Sequence, residues 1–145
     1  MFIKQISIFL ENKKGALSRM ANLLGEEGIN LLAMSIADTD EFGIVRIIVP
    51  SESVFRALIV LREEGMTAKI SNVVCVRIPH EPLGLAKALD KFAELGISID
   101  YSYSFCSSKS PDAVAIFRIQ EDEKILDKLK AVGVDFLTTE EVDKF

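Results

Sequence analysis

Tryptophan is absent from the 145-residue sequence, histidine occurs once, and there are only two cysteines and four prolines. Cys75 and Cys106 lie in separate apolar runs, with neither C-x-x-C spacing nor a histidine cluster. No disulfide framework and no zinc site is expected, and both read as reduced packing residues. Apolar runs such as those at 31–34 and 73–76 fall far short of the roughly 18 to 20 residues that cross a bilayer, which excludes a membrane helix. The N-terminal MFIKQISIFLENKK alternates apolar and polar residues instead of presenting an unbroken apolar core, so a cytoplasmic location is expected. Basic charge is scarce too. Against 22 Asp and Glu there are 17 Lys and Arg, a net charge of −5. No stretch gathers the cations that release counterions from a phosphate backbone, and nucleic acid is excluded as a partner. With little Pro and 49% hydrophobic residues, the chain has enough apolar surface to offset its conformational entropy, which excludes disorder.

Catalytic signatures are missing as well. There is no G-x-S-x-G elbow, P-loop, G-x-G-x-x-G or H-E-x-x-H. Glu26, Glu27, Glu63, Glu64, Asp122 and Glu123 fit solvated helix faces or ends. The sequence reads as that of a non-enzyme, with no catalytic residue, cofactor or metal.

What the sequence does hold is a repeat at an offset of 68. Sliding NKKGALSRMANLLGEEGINL onto HEPLGLAKALDKFAELGISI matches Leu17 with Leu85, Glu26 with Glu94, Gly28 with Gly96 and Ile29 with Ile97. The alternating Ile6, Ile8 and Leu10 fall on Val74, Val76 and Ile78, and Leu58, Leu61 and Gly65 fall on Leu126, Leu129 and Gly133. Two domains, 1–70 and 71–145, are therefore expected.

Each copy begins with a half-buried strand. A helix follows, with an apolar stripe at Leu17, Met20, Ala21 and Leu24 in one copy and Leu85, Ala88, Leu89 and Phe92 in the other, stopped by Gly28 and Gly96. Two strands come next, near 30–37 and 43–49, and near 98–105 and 113–119, joined by polar turns at 38–41 and 107–112. A second helix closes each copy, near 52–64 with Phe55, Leu58 and Ile59 inward, and near 121–131 with Ile125, Leu126 and Leu129 inward. A short strand ends each. The order is βαββαβ, an α+β ferredoxin-like unit with helices on one face of an antiparallel sheet. The segment TAKISNVVCVRI runs from one copy into the next with no flexible linker, which points to one rigid body. Thr138 with Glu141 resembles a capping box, so a helical turn is expected there. Tyr101, Tyr103 and Phe105 share one strand face, either packed or turned toward a partner.

Both first helices are entered through a glycine-containing loop, Asn12-Lys13-Lys14-Gly15-Ala16 and His80-Glu81-Pro82-Leu83-Gly84. A helix N-terminus presents unpaired N–H groups and partial positive charge, a place for a carboxylate or phosphate. The bland alternative is that the glycines permit a tight turn, Asn12 caps it and Pro82 pre-sets the helix entry.

Strand, NKKGAL, helix stripe and EEGINL together resemble the ACT domain, and PHEPLGLAKALDKFAELGISI resembles the same pattern. The resemblance extends over nearly the whole chain, in the manner of stand-alone tandem ACT proteins. It implies an amino-acid-binding regulatory protein, with the ligand held between ACT units, pairing as a homodimer and acting on a separately encoded metabolic enzyme. It also implies ligand-binding roles for Asn12, Lys14, Gly15, Ala16, Leu17 and Asn30, and for His80, Pro82, Gly84, Leu85 and Ser98. Lys14 stands where proline is usual, Leu83 takes the first glycine position, and His80 replaces Asn12. The second copy is open to a different ligand or none. A ligand-free interaction subunit of a metabolic enzyme is the competing reading.

Overall fold

The computed structural model describes residues 1–38, 41–107 and 110–145, and the chain divides into two compact units, Lys4–Ser71 and Asn72–Phe145 with Met1–Ile3. The turn expected at 38–41 and the one at 107–112 each include residues outside the described ones.

In the first unit, β1 (Ile3–Glu11) leads to α1 (Ala16–Glu26), β2 (Ala33–Asp38) and β3 (Phe42–Ile48). A 3-10 turn (Ser51–Ser53) and α2 (Val54–Glu63) follow, then β4 (Thr67–Pro79). The strand order is β2-β3-β1-β4, with antiparallel registers Ile8↔Val45 and Ile36↔Val45. One sheet face packs Ile6, Ile8, Leu10, Val45 and Ile47 against Met20 and Leu24 of α1 and Ala57 and Leu61 of α2. The opposite face carries Gln5, whose amide donates to Ser7 Oγ at 3.1 Å and Ser71 Oγ at 3.2 Å, so its burial is compensated.

β4 is one continuous strand of 13 residues from Thr67 to Pro79. In the second unit it is followed by α3 (Gly84–Glu94), β5 (Tyr101–Cys106), β6 (Asp112–Arg118), α4 (Glu123–Ala131) and α5 (Thr139–Val142). The order here is β4-β6-β5, with Val76↔Ala115 and Tyr103↔Ile116. Val74, Val76, Ile78, Ala115 and Phe117 pack on Phe92, Leu126 and Leu129, and the Phe92 and Phe117 rings meet at 5.1 Å between centroids. The closing strand expected here is reduced to a single bridge, Val76↔Phe136. Beyond it Thr138 and Glu141 form a reciprocal capping box on α5, and Phe145 meets the Phe105 ring edge-on.

Leu58 of α2 and Ile125, Leu126 and Leu129 of α4 pack on the core as expected, but other positions of the expected stripes do not. In α2, Phe55 is 61% exposed and Ile59 49%, while Val54, Ala57 and Leu61 are buried. Val54–Glu63 is apolar around most of its circumference, so periodicity does not choose the inward face and packing on the sheet does. Leu17 and Ala21 in α1 and Leu85 in α3 are exposed as well, while Met20, Leu24 and Phe92 are buried and Ala88 and Leu89 pack half-buried on the core. Strands β2 and β5 each start three residues later than expected, which leaves Asn30 and Ser98 outside them.

Candidate functional site

The two helix-entry loops follow one backbone trace. In the first, the Lys13 N–H donates to Glu11 O at 2.8 Å, Ala16 N–H to Lys13 O at 3.2 Å and Arg19 N–H to Gly15 O at 2.8 Å. In the second, Glu81 N–H donates to Pro79 O at 2.9 Å, Gly84 N–H to Glu81 O at 3.1 Å and Lys87 N–H to Leu83 O at 2.9 Å. Each bond is its counterpart moved by the repeat offset. The residue before each helix is left-handed, Gly15 at φ 80° and Leu83 at φ 66°. A branched side chain is strained there, and glycine is not. Neither helix has a side-chain N-cap, so Asn12 does not cap α1. The N–H groups of Leu17 and Ser18 have no intrahelical acceptor and point out of the first turn.

Beside the first loop lies a cavity of about 180 Å³, lined by Asn12, Lys13, Ala16, Leu17, Ile36 and Gly43 among others. Of the expected site residues it unites Asn12, Ala16 and Leu17, and its lining includes neither Lys14 nor Gly15, both exposed. Asn30 is not brought to it. The Leu32 N–H bonds Ile48 O at one end of β3, whereas the Asn12 N–H bonds Glu41 O beyond the other. Seven residues of strand, about 20 Å, lie between.

A second pair of cavities occupies matching places in the two units, on the other side of the first helical turn. In the first unit it measures about 420 Å³ and is lined by Phe9, Lys13, Ala16, Arg19, Phe42 and Gly65, among others. Arg19 is clamped by Glu64, through the carbonyl at 3.0 Å and Oε2 at 3.2 Å, and Lys13 is ion-paired with Glu11. In the second unit it measures about 320 Å³, with Arg77, Gly84, Lys87, Lys91, Asp112 and Asp135 in its wall. Gly84 is buried there because a Cβ would stand 2.2 Å from Pro79 O.

Of the expected second-copy residues, only Gly84 lines this cavity; His80, Pro82 and Leu85 are exposed outside it. Ser98 lies at the far end of the sheet, in a hollow with Asp100, Gln120 and Lys128. The register explains its distance: Asp100 N–H bonds Arg118 O, while the loop begins beyond Pro79↔Asp112. The residues missed in the sequence are Arg19, Lys87 and Asp112. Arg19 and Lys87 coincide at the repeat offset, a signal that was present.

Among the described residues no group of three His, Cys, Asp or Glu is placed to hold a metal, and no helix is long and apolar enough to cross a membrane. Burial pushes the Cys75 thiol up to about 12 and keeps it protonated and unreactive.

The repeated helix entry, the βαββαβ order and the shared β4 agree with the family model of an ACT domain pair, which matches residues 1–145. The chain belongs to the ACT domain pair family. Protein BT0572 of Bacteroides thetaiotaomicron is similar in structure at a TM-score of 0.90 and 36% identity, over 100% of this chain and 98% of that one. The regulatory subunit of aspartate kinase from Thermus thermophilus, in a ligand-free form, matches at 0.65 and 20% identity, over 89% of each chain. Its counterpart from Thermus flavus matches at 0.63 and 18%, again over 89% of each. These two share the fold. No curated protein matches the chain.

Proposed function

We propose that this ACT domain pair is a regulatory protein that binds a free amino acid at the first helix-entry loop and catalyses nothing. The carrying observation is the cavity where the Asn12 side chain and the first turn of α1 converge. The N–H groups of Leu17 and Ser18 receive the ligand's α-carboxylate, with the N-terminal end of the helix dipole behind them. The Asn12 amide holds a polar group, and Leu17 and Ile36 cover the ligand's apolar part. Asn30 of the same chain lies too far away to touch such a ligand, and the reading includes a homodimer in which a second copy offers it.

Isothermal titration with each of the twenty amino acids at millimolar concentration tests this. At least one should bind, and Gly15→Asp should abolish binding at this loop by setting a carboxylate beside the first-turn amides; aspartate tolerates the left-handed conformation. Heat with none of the twenty would refute the reading.

The competing reading is a ligand-free subunit that regulates a separately encoded enzyme. It is supported by Leu83, a strained replacement for the loop glycine, and by the name of the Thermus relatives as regulatory subunits. Stoichiometric co-purification with one enzyme, indifferent to amino acids, distinguishes it.

A further inference from the structure

The second unit's cavity of about 320 Å³ is ringed by five charges, those of Arg77, Lys87, Lys91, Asp112 and Asp135. Three are already engaged. Arg77 Nε pairs with Asp135 Oδ2 at 3.2 Å, Arg77 Nη2 with Glu141 Oε1 at 3.2 Å, and Lys91 Nζ donates to Gly133 O at 2.6 Å. Lys87 and Asp112 are left. Among the described residues neither side chain has an ion-pair or hydrogen-bond partner, and they do not pair with each other. Between them lies an apolar floor of Val76, Ala88 and Val134.

One unpaired cation and one unpaired carboxylate across an apolar floor are complementary to a zwitterion. In the matching cavity of the first unit neither an unpaired cation nor an unpaired carboxylate stands at these two positions. Arg19, at the position of Lys87, is held by Glu64, and Phe42, paired with Glu11 as Asp112 is with Pro79, replaces the carboxylate. We propose that the second unit binds a free amino acid in this cavity, with Lys87 donating to its carboxylate and Asp112 accepting from its ammonium. The site is separate from the first loop, and the inference rests on the amino-acid reading above for its ligand class.

The test is isothermal titration of the full chain with the twenty amino acids, repeated on Lys87→Met, Asp112→Asn and Gly15→Asp, and with the methyl ester of any amino acid that binds. Lys87→Met and Asp112→Asn should each weaken binding at the second site about ten- to a hundredfold, the effect of one charge-assisted contact, and leave the first-loop site as it was, and the ester should lose affinity similarly. Binding abolished by Gly15→Asp but unchanged in Lys87→Met and Asp112→Asn overturns the second site and leaves the loop reading standing. An ester that binds as well as its parent also overturns it. Heat with no amino acid overturns both readings together.

Discussion

Gly15-Ala16 and Leu83-Gly84 occupy the same two steps of the same backbone path, with the glycine moved along by one. In the first unit glycine takes the left-handed residue, and alanine stands at the first helical position. In the second, α3 approaches β4 so closely that Gly84 has no room for a methyl group above Pro79 O, and Leu83 accepts the strain instead. One trace can thus be held by two different compromises, set by how near the helix sits to its strand. The side chains around it diverge further: in the first unit Lys13 and Arg19 are paired with Glu11 and Glu64, and in the second Lys87 and Asp112 are unpaired among the described residues.

The largest expected break in this comparison comes from exchanging the small residues. Gly84→Ala should destabilise the second unit by about 3 kcal/mol, since the clash is with backbone that cannot rotate away. Ala16→Gly should cost the first unit no more than about 1 kcal/mol. Urea unfolding with amide exchange resolved by unit measures both, and equal costs would mean the two helix entries are not differently packed. The left-handed position gives a smaller effect of opposite sign in each unit. Leu83→Gly should stabilise and Gly15→Leu destabilise, each by about 1 kcal/mol, read from the same unfolding midpoints.

The smallest effect is electrostatic. The Arg118 guanidinium, with Asn72, holds the Glu121 carboxyl below its ordinary value, and the Thr138 N–H, with the Thr138 hydroxyl and Arg77, does so for Glu141. Both are ionised in the folded protein, so their contribution is complete above about pH 4.5 and is lost as pH falls through the lowered folded values. Amide protection within 72–145 should therefore weaken on acidification, and less so in Glu121→Gln and Glu141→Gln. A pH profile unchanged by both substitutions would remove this contribution.

Much of the fold was legible because the repeat carries redundant information. Alternation at Ile6, Ile8 and Leu10, glycine stops, and loop spacing each recur at the same offset, and the uninterrupted β4 follows from the lack of any breaker between the copies. The inward face of α2 was not legible, since apolar residues surround it and only tertiary packing selects one side. Asn30 and Ser98 were placed at the loops by resemblance, whereas strand register puts them at the other end of each sheet. Gly84 was read as a point of ligand approach, and it is the close approach of its own strand that requires it. That Lys87 and Asp112 stand unpaired among the described residues was not legible, because pairing is decided by tertiary geometry.

Glu141 links the capped turn at 138–142 to the cavity wall through Arg77. That short segment serves as a counterion built into the chain: with it folded, Arg77 is spoken for, and an incoming carboxylate finds Lys87 alone. Unwinding the turn would leave Arg77 with Asp135 as its one remaining counterion, so the charge of the cavity wall is set in part by whether the last residues of the chain are folded.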